Sequence, residues 1–242
     1  MRNLPKLIAL DLDETLLDRD SRLPEQEALA LKRAMAAGAE IALATGRAYA
    51  TIPEEMLRFP GIRYAVTGNG AAVYDCRTGQ AVLRRTLPPG AAKAVLERTA
   101  AEDVSYEAFL EGRAYAQADY LEKLHTFMMD RHTQAYVRAT RIPVADIRRF
   151  VRENGDAMDS LAVIPRDMDT KRRVIETLRK LDEVYITTSS IRLIEVNHES
   201  CTKQAGLQNL AALLGVSQVE TAAFGNADND AEMLAWAGTG FL

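Results

Sequence analysis

Cysteine is scarce in this sequence, which has only Cys76 and Cys201 among its 242 residues. Two thiols exclude a small domain held together by several disulfides. A single bridge between them is possible, but two reduced thiols in a cytoplasmic protein fit better. No apolar stretch approaches the ~20 residues needed to span a bilayer, and the apolar run Leu7–Leu10 stops at Asp11, too short for a signal peptide. These absences predict a cytoplasmic protein without a membrane-spanning segment.

The sequence also lacks an excess of charge of one sign. It has 30 basic and 34 acidic side chains, a net charge of -4, which gives no electrostatic reason to bind nucleic acid or an anionic membrane. Hydrophobic residues make up 48% and charged residues 26%, which excludes disordered and collagen-like chains. The length suits one large domain or a two-part fold. We expect a small-molecule partner and a monomer or homodimer.

The first part of the chain alternates between strand and helix patterns. Short apolar runs predict buried strands and longer Ala/Leu-rich segments predict helices. The elements are a strand in Lys6–Leu12, a helix from Pro24 to Gly38, a strand in Ile41–Ala44, a helix ending near Leu57, a strand in Tyr64–Thr67 and a hairpin of Val73–Asp75 with Ala81–Arg85. This alternation predicts an α/β fold, in which a parallel sheet is covered by helices.

The pattern changes at Pro88-Pro89-Gly90 and returns after Asn197. Between them we predict strand pairs with interspersed helices: helices 91–101, 121–129, 144–154 and 168–181, and strands around 111–112, 161–164, 185 and 193. Afterwards a helix (202–214), a strand (221–224) and a helix (229–237) resume the first pattern. We therefore predict a discontinuous core, 1–83 with 191–242, and an inserted α+β domain, 84–190.

Asp11 and Asp13 follow the first predicted strand and face the same side of it. They stand at the carboxyl end of a parallel strand, where open α/β sheets place their ligands. Two neighbouring carboxylates repel unless a cation or a shared proton offsets them, which favours a Mg²⁺ site. Taken alone, the pair also fits a solvated loop that begins with a capping aspartate.

Three further polar features follow at strand ends or helix starts. Thr45-Gly46 can hold a phosphate or simply cap a helix. Lys203 lies at the start of a predicted helix, where the helix dipole disfavours a cation. It therefore either pairs with an anion or is an ordinary surface lysine. The segment Gly225–Asp230 is either a ligand loop or an Asn/Asp-rich turn. Because all four features converge on one rim of a parallel sheet, we favour a binding site.

The ordered set Asp11-Leu12-Asp13-Glu14-Thr15-Leu16-Leu17, Ala44-Thr45-Gly46-Arg47, Lys203 and Gly225–Asp230 followed by Met233-Leu234 closely resembles the haloacid dehalogenase superfamily. Within it, the chain looks like the Cof-type phosphatases, because it also has Thr67-Gly68-Asn69-Gly70-Ala71 and a large insert before Lys203. The resemblance covers nearly the whole chain. It implies a Rossmann-like core with helices on both faces and an α+β cap that reads the leaving group.

The resemblance also implies roles for individual residues. Asp11 would be the nucleophile that forms an aspartyl-phosphate, and Asp13 would protonate the leaving alcohol and then activate water. Thr45, the amide of Gly46 and Lys203 would hold the phosphoryl group. Arg47, Asn69 and Asn229 would border the substrate. Mg²⁺ would bind Asp11, the carbonyl of Asp13, Asn226 and Asp230.

Asn226 departs from the family pattern, which usually has a metal-binding aspartate at this position. Its amide oxygen can still be a ligand, but with one negative charge fewer we expect weaker Mg²⁺ binding. Two hypotheses could compensate for the missing charge: Asp230 binds the Mg²⁺ ion through a water, or Asp228 becomes an additional ligand. A second departure is the end at Gly238–Leu242, where relatives continue through another strand and helix. We expect either a truncated form or an atypical terminus, with an uncovered sheet edge as a risk.

The sequence therefore predicts a Mg²⁺-dependent phosphatase acting on a small phosphorylated metabolite, such as a sugar phosphate or a phosphorylated cofactor. The alternative is a catalytically weak protein that binds a phosphorylated ligand or regulates through it, which Asn226 and the short terminus favour. Intact Asp11, Asp13, Thr45 and Lys203 argue for the enzyme, since a pure binder needs neither nucleophile nor acid. A purely structural module leaves the four converging motifs unexplained.

Overall fold

The protein forms two compact units in a computed structural model that describes residues 4–188 and 190–242. The core unit contains residues 4–84 and Cys201–Leu242, and the insert unit contains Arg85–Ser200. The first boundary differs by one residue from the predicted one, but the second falls after 200 instead of after 190. The predicted boundary was too early because the strand Ile194–His198 pairs with two strands of the insert unit.

The core unit is built around a seven-stranded sheet with the order β13-β12-β1-β2-β3-β4-β5. Pairings from β13 to β3 are parallel, and β4 and β5 add an antiparallel hairpin. The predicted α/β class is confirmed. The elements are β1 (Leu7–Leu10), α1 (Glu25–Ala36), β2 (Glu40–Ala44), α2 (Glu54–Leu57), β3 (Ile62–Thr67), β4 (Ala72–Asp75), β5 (Gln80–Arg84), α8 (Lys203–Leu214), β12 (Thr221–Phe224), α9 (Ala231–Trp236) and β13 (Thr239–Phe241).

Helices cover both faces of this sheet, because its central strands are apolar on both sides. On one face, Leu7 of β1 packs in a cluster with Leu207 and Leu210 of α8. On the other face, Ile41 of β2 packs in a cluster with Leu31 of α1. The near-continuous apolar strands of the sequence thus reflect burial from two sides. Across the described residues, no helix combines the length and apolarity needed to cross a membrane.

The predicted helix that would end near Leu57 is interrupted in the structure. A 3-10 turn covers Tyr49–Thr51, and α2 covers only Glu54–Leu57. Pro53 separates them, and Ile52 before it is extended with ψ 135°. Proline lacks the backbone donor that helix continuation requires and disfavours helical geometry in the preceding residue.

The segment Thr239–Phe241 forms a strand that the sequence did not predict. Its three residues are too few to show an alternating pattern, yet they pair in parallel with Ala222–Phe224 of β12. The ring of Phe241 stacks on that of Phe224, with centroids 4.5 Å apart. Gly240 permits the close packing of helix α9, since a Cβ there would lie 2.3 Å from the carbonyl oxygen of Leu234.

The insert unit is an α+β layer with a six-stranded sheet of order β10-β11-β9-β6-β7-β8. All pairings are antiparallel except that of β7 with β8. Helices α3, α6 and α7 cover one face of the sheet, and residues 116–137 contribute to a second cluster. The elements are α3 (Ala91–Arg98), β6 (Val104–Leu110), β7 (Arg113–Gln117), α4 (Ala118–Glu122), α5 (Arg131–Thr140), β8 (Ile142–Val144), α6 (Ile147–Asn154), β9 (Met158–Pro165), α7 (Met168–Leu178), β10 (Val184–Thr187) and β11 (Ile194–His198).

The segment between β7 and α6 differs most from the sequence prediction. The helix predicted for 121–129 is replaced by the short α4 and a 3-10 turn at Leu124–Thr126. Helix α5 and strand β8 were not predicted at all. In α5 only Val137 is fully buried, so its sequence lacks an apolar stripe. Helix α6 begins at Ile147 instead of Val144 because the Asp146 side chain caps it by accepting the amide of Arg149.

A buried ionic network crosses the interior of the insert unit. Glu107 of β6 has no solvent exposure and accepts hydrogen bonds from Arg141, Arg192 and Tyr120. The closest pairs are Arg141 Nη2 to Oε2 at 2.6 Å and Arg192 Nη1 to Oε1 at 2.9 Å. Burial alone would raise the pKa of Glu107, but the two guanidinium groups outweigh it and lower the pKa to about 2. Glu107 is therefore a structural carboxylate.

Glu107→Gln should lower the free energy of unfolding by about 3–5 kcal/mol at pH 7, because it leaves two buried cations without their carboxylate. The depressed pKa means that the wild type holds this stability above about pH 4.5 and loses it as the pH falls towards 2. The difference between the two proteins should therefore shrink with acidification. Urea unfolding followed by circular dichroism at several pH values measures it.

Glu153→Gln is the control, because Glu153 forms an exposed pair with Arg149 on α6. Such a pair contributes well under about 1 kcal/mol. Equal losses in the two variants, or a difference that does not depend on pH, would contradict the assigned role of Glu107.

Candidate active site

The predicted site residues of the core unit follow the carboxyl ends of adjacent parallel strands. Asp11 follows β1, and its amide donates to the carbonyl of Phe224 at the end of β12. Thr45 follows β2, and its amide donates to the carbonyl of Val66 in β3. Because these strands lie side by side, their polar continuations meet at one rim of the sheet, the usual ligand position in open α/β folds.

Lys203 is the centre of the site. Its Nζ lies 2.6 Å from Oδ1 of Asp11 and 2.7 Å from Oδ1 of Asp230. All three side chains are buried, with exposed fractions of 2%, 5% and 0% for Lys203, Asp11 and Asp230. A buried lysine needs such partners, since an unpaired charge in this position would be expensive. The lysine that was expected to pair with an anion thus contacts two carboxylates.

Burial raises the pKa of Asp11 above its ordinary value, and the nearby charge of Asp230 adds to the increase, while Lys203 opposes it. Only Oδ1 of Asp11 is held by Lys203. Within the described residues, Oδ2 accepts no hydrogen bond. One carboxylate oxygen is therefore fixed by the lysine, while the other makes no hydrogen bond to any residue that the structure describes.

Asp230 organises the loop that begins at Gly225. Its Oδ2 accepts the backbone amides of Asn226 and Ala227, both at 3.1 Å, while Oδ1 contacts Lys203. Gly225 makes this arrangement possible, because a Cβ there would lie 2.4 Å from Cγ of Asp230. The carboxylate thus fixes the loop backbone and the lysine at once.

Helix α8 presents Lys203 at its first position. The Thr202 side chain caps the helix by accepting the amide of Ala205 at 3.1 Å. The loop after β3 packs tightly on this cap, since a Cβ on Gly70 would lie 2.1 Å from the carbonyl oxygen of Thr202. Gly70 also has φ +96°, a left-handed conformation that suits glycine. Both requirements explain the glycine at this position.

Asp13 is paired with Arg47, a contact that the sequence did not indicate. Arg47 Nε donates to Oδ2 of Asp13 at 3.0 Å, and Nη2 donates to Oδ1. The guanidinium also donates to the carbonyl of Thr51 and to Oγ of Ser21. Its own side chain is 9% exposed, whereas that of Asp13 is 55% exposed. Arg47 is therefore anchored by Thr51 and Ser21, and it orients the solvent-exposed carboxylate of Asp13.

The remaining predicted substrate residues lie beside Thr45. Thr45 is 1% exposed, and its Oγ1 accepts the amide of Arg47, so the backbone turns tightly at Gly46. The backbone N–H of Asn69 donates to the carbonyl of Thr45. The side-chain oxygen Oδ1 of Asn69 accepts a hydrogen bond from Nδ2 of Asn229 at 3.0 Å. Among the described residues, Asn229 Oδ1 is buried without a hydrogen-bond partner, so this amide is placed to receive a donor.

Two of the four predicted metal residues would bind through uncharged oxygens, the carbonyl of Asp13 and the amide of Asn226. Asn226 Nδ2 lies 3.2 Å from the carbonyl oxygen of Asp13. Both oxygens of Asp230 are already occupied, as described above, and Asp228 is exposed. The described part of the chain holds no group of three or more His, Cys, Asp or Glu side chains suited to a metal. Any cation here would bind an oxygen set that includes main-chain and amide groups.

The fold and this rim place the chain among known hydrolases. It matches the haloacid dehalogenase-like hydrolase family over residues 8–242, and it therefore belongs to that family. The resemblance to the haloacid dehalogenase superfamily and its Cof-type phosphatases is confirmed, as is the prediction of a phosphomonoesterase.

Particular relatives are phosphatases. The chain is 30% identical to an HMP-PP phosphatase of Klebsiella pneumoniae, over 99% of this chain and 84% of that protein. It is 26% identical to a 5-amino-6-(5-phospho-D-ribitylamino)uracil phosphatase of Bacillus subtilis, over 96% of this chain and 85% of that protein. A solved haloacid dehalogenase-like hydrolase from B. subtilis has the same fold, with a TM-score of 0.82 and 23% identity. The match covers 97% of this chain and 88% of that chain.

Asp230→Asn should lower the free energy of unfolding by about 3 kcal/mol, because Lys203 loses one of its two buried carboxylates. The matched control is Asp228→Asn, which removes an exposed carboxylate from the same loop and should change stability by less than about 0.5 kcal/mol. Urea denaturation of the whole chain at pH 7 compares them. Similar losses for both variants would show that Asp230 does not hold the site together.

Proposed function

We propose that this protein is a Mg²⁺-dependent phosphatase that hydrolyses a small phosphorylated metabolite through an aspartyl-phosphate on Asp11. The observation that carries the proposal is the buried contact of Lys203 with one oxygen of Asp11. It fixes a carboxylate at the rim of the parallel sheet and leaves Oδ2 without a hydrogen bond from the described part of the chain. Covalent catalysis of this kind divides one difficult displacement into two easier ones.

In the first half of the reaction, Oδ2 of Asp11 forms a bond to phosphorus while the bond from phosphorus to the leaving oxygen breaks. The proton that the leaving alkoxide needs comes from the carboxyl group of Asp13. In the second half, Asp13 takes a proton from water, whose oxygen forms a bond to phosphorus while the bond from phosphorus to Oδ2 of Asp11 breaks, and inorganic phosphate is released. Asp11 is restored as a carboxylate. Lys203 stays beside Asp11 and offsets the negative charge that the phosphoryl group brings.

Arg47 controls where Asp13 points in this scheme. In the structure the guanidinium occupies both oxygens of Asp13, so proton transfer requires at least one of these bonds to open. We therefore assign Arg47 as a positioning residue for Asp13 as well as a border of the substrate site. Its anchors on Thr51 and Ser21 keep it in place when Asp13 moves.

Thr45 and the backbone amide of Gly46 are proposed to bind the phosphoryl oxygens, since both follow β2 at the same rim as Asp11. Asn69 is joined to this segment by its backbone N–H, which donates to the carbonyl of Thr45, and Asn229 is joined to Asn69 by a side-chain hydrogen bond. The unpartnered Oδ1 of Asn229 would accept a hydrogen bond from a hydroxyl or amino group of the substrate.

The residues at the rim fit a Mg²⁺ ion. Mg²⁺ prefers hard oxygen ligands, keeps several waters and often binds through one or two carboxylates plus substrate phosphate. Asp11, the carbonyl of Asp13 and the amide oxygen of Asn226 offer such a set. In the structure Nδ2 of Asn226 donates to that carbonyl, so the Asn226 amide would have to turn over to present its oxygen to the ion. Asp230 would act through a water. When bound, the ion would supply positive charge to the phosphoryl oxygens.

The substrate class follows from the relatives and the insert unit. Two relatives are named for small phosphorylated compounds, and we propose a substrate of the same size, such as a sugar phosphate or a phosphorylated cofactor. The insert unit would act as the cap that reads the leaving group. We propose a cytoplasmic location, because small phosphorylated metabolites occur there and both cysteines are reduced thiols.

Asp11→Asn should reduce phosphate release by roughly 10⁴-fold or more, the scale seen when a nucleophile is removed. Release from a panel of phosphomonoesters, with and without Mg²⁺, measures it, and mass spectrometry after acid quenching should find one added phosphoryl group on Asp11 of the wild type. Asp20→Asn, an exposed aspartate in the same loop, should keep full activity. Unchanged turnover in Asp11→Asn would overturn the proposed nucleophile.

Asn226→Asp should strengthen Mg²⁺ binding, on the order of tenfold, because it adds a charged ligand to an oxygen site. Titration calorimetry with Mg²⁺ in the absence of substrate measures the affinity directly. Asp228→Asn should leave the affinity unchanged. If Asp228→Asn weakens binding and Asn226→Asp has no effect, then Asp228 and not Asn226 is the ligand.

A further inference from the structure

The insert unit contains a cavity of about 240 Å³ at one end of its sheet, where β6 begins and β7 and β9 end. Its walls are partly apolar, formed by Val104, Tyr106, Phe127 and Ile147. This volume is smaller than the ~300–1,000 Å³ of pockets that take drug-sized ligands. An occupant would therefore be a small molecule with an apolar part.

Basic side chains outnumber acidic ones in the lining. Lys123, Arg148 and Arg166 contribute three positive charges, and Asp119 contributes the one negative charge. Asp119 is already engaged, since its Oδ1 accepts from Gln117 at 2.7 Å and its Oδ2 lies 3.7 Å from Nζ of Lys123. The cavity thus has an excess of positive charge, which favours an anion.

Two of these cations are held in place by aromatic rings. The guanidinium carbon of Arg148 lies 4.8 Å from the ring centroid of Tyr106, and that of Arg166 lies 4.1 Å from the ring of Phe127. The Tyr106 hydroxyl is fixed in turn by Thr99 Oγ1 at 2.6 Å. Cation–π contacts of this kind orient the donors before a ligand arrives, which lowers the entropic cost of binding.

Arg148 differs from Arg166 in its polar contacts. Arg166 donates to Asp103, at 3.3 Å, and to Thr126. For Arg148, the described residues provide a ring contact but neither an ion pair nor a hydrogen bond to the guanidinium. A partly buried guanidinium in a cavity wall thus keeps its full set of donors, which match the oxygens of a phosphate or carboxylate.

We propose that this cavity binds a small aromatic or heterocyclic molecule that carries one phosphate or carboxylate group. The oxyanion contacts Arg148, and the ring lies against the apolar wall. The proposal concerns the insert unit alone, so it stands or falls separately from the phosphatase chemistry of Asp11.

Titration calorimetry of the whole protein with phenylphosphonate and with benzoate tests the proposal. Both probes carry a ring and an oxyanion, and benzoate lacks the phosphoryl group that the proposed catalytic site takes. Arg148→Gln should weaken both probes about tenfold or more, the effect of losing one charge-assisted hydrogen bond. The matched control is Arg152→Gln on the same helix, which is exposed and should bind within about twofold of the wild type.

Arg148→Lys provides a second variant that retains the charge but loses the planar fork. It should bind with intermediate affinity, and circular dichroism of each variant confirms that it is folded. The proposal is overturned if the wild type binds neither probe at millimolar concentration. It is also overturned if Arg148→Gln and Arg152→Gln weaken binding equally. Binding of phenylphosphonate that Arg148→Gln leaves unchanged would likewise overturn it, because that binding would lie at a phosphoryl site elsewhere.

Discussion

The contact of Lys203 with two buried carboxylates is the interaction on which the rim of the core unit depends. It joins the end of β1, the start of α8 and the loop before α9, although Asp11 is 192 positions from Lys203 in the chain. Without the cation, Asp11 and Asp230 would be neighbouring buried anions, and each would carry the cost of an unpaired charge. Tight backbone packing at Gly70 and Gly225 serves the same end, since it brings the helix and the loop close enough for the ion pairs to form.

The charges at the rim bear on the proposed need for a metal. Counted as ions, Asp11, Asp13 and Asp230 exceed Lys203 and Arg47 by one negative charge. A phosphate ester adds up to two more negative charges, so the two protein cations are insufficient. Asn226 lowers this excess by one relative to the aspartate usual in the family. In the proposed site, the same substitution would therefore weaken the attraction for the metal and reduce the repulsion of the substrate.

Sequence patterns predicted the parts of this structure that depend on local order. Apolar runs that stop abruptly at a polar residue, as at Asp11 and Thr45, marked the strand ends and hence the rim. Contacts between distant residues left no such mark. The pairing of Arg47 with Asp13 spans 34 positions and depends on how two loops fold over the sheet.

Other elements escaped prediction because their stability comes from neighbours. Strand β13 is held by its partner β12, and helix α5 buries a single residue completely. The cap of α5 was the one local signal, since Asp130 accepts the amide of Thr133. The closing boundary of the insert was misplaced for the same reason, because only the pairing of the strand Ile194–His198 shows to which sheet it belongs.

The pairing of Leu7 with Thr221 has a consequence for synthesis. The ribosome delivers β1 first and its neighbour β12 only after the whole insert has emerged. Domains fold as units during translation, so Arg85–Ser200, a continuous segment, can fold while β1 still lacks one of its two partners. Asp11 likewise waits for Lys203. The nascent chain therefore exposes an incomplete sheet until the insert has emerged, and Asp11 can meet its cation only after Lys203 has been made.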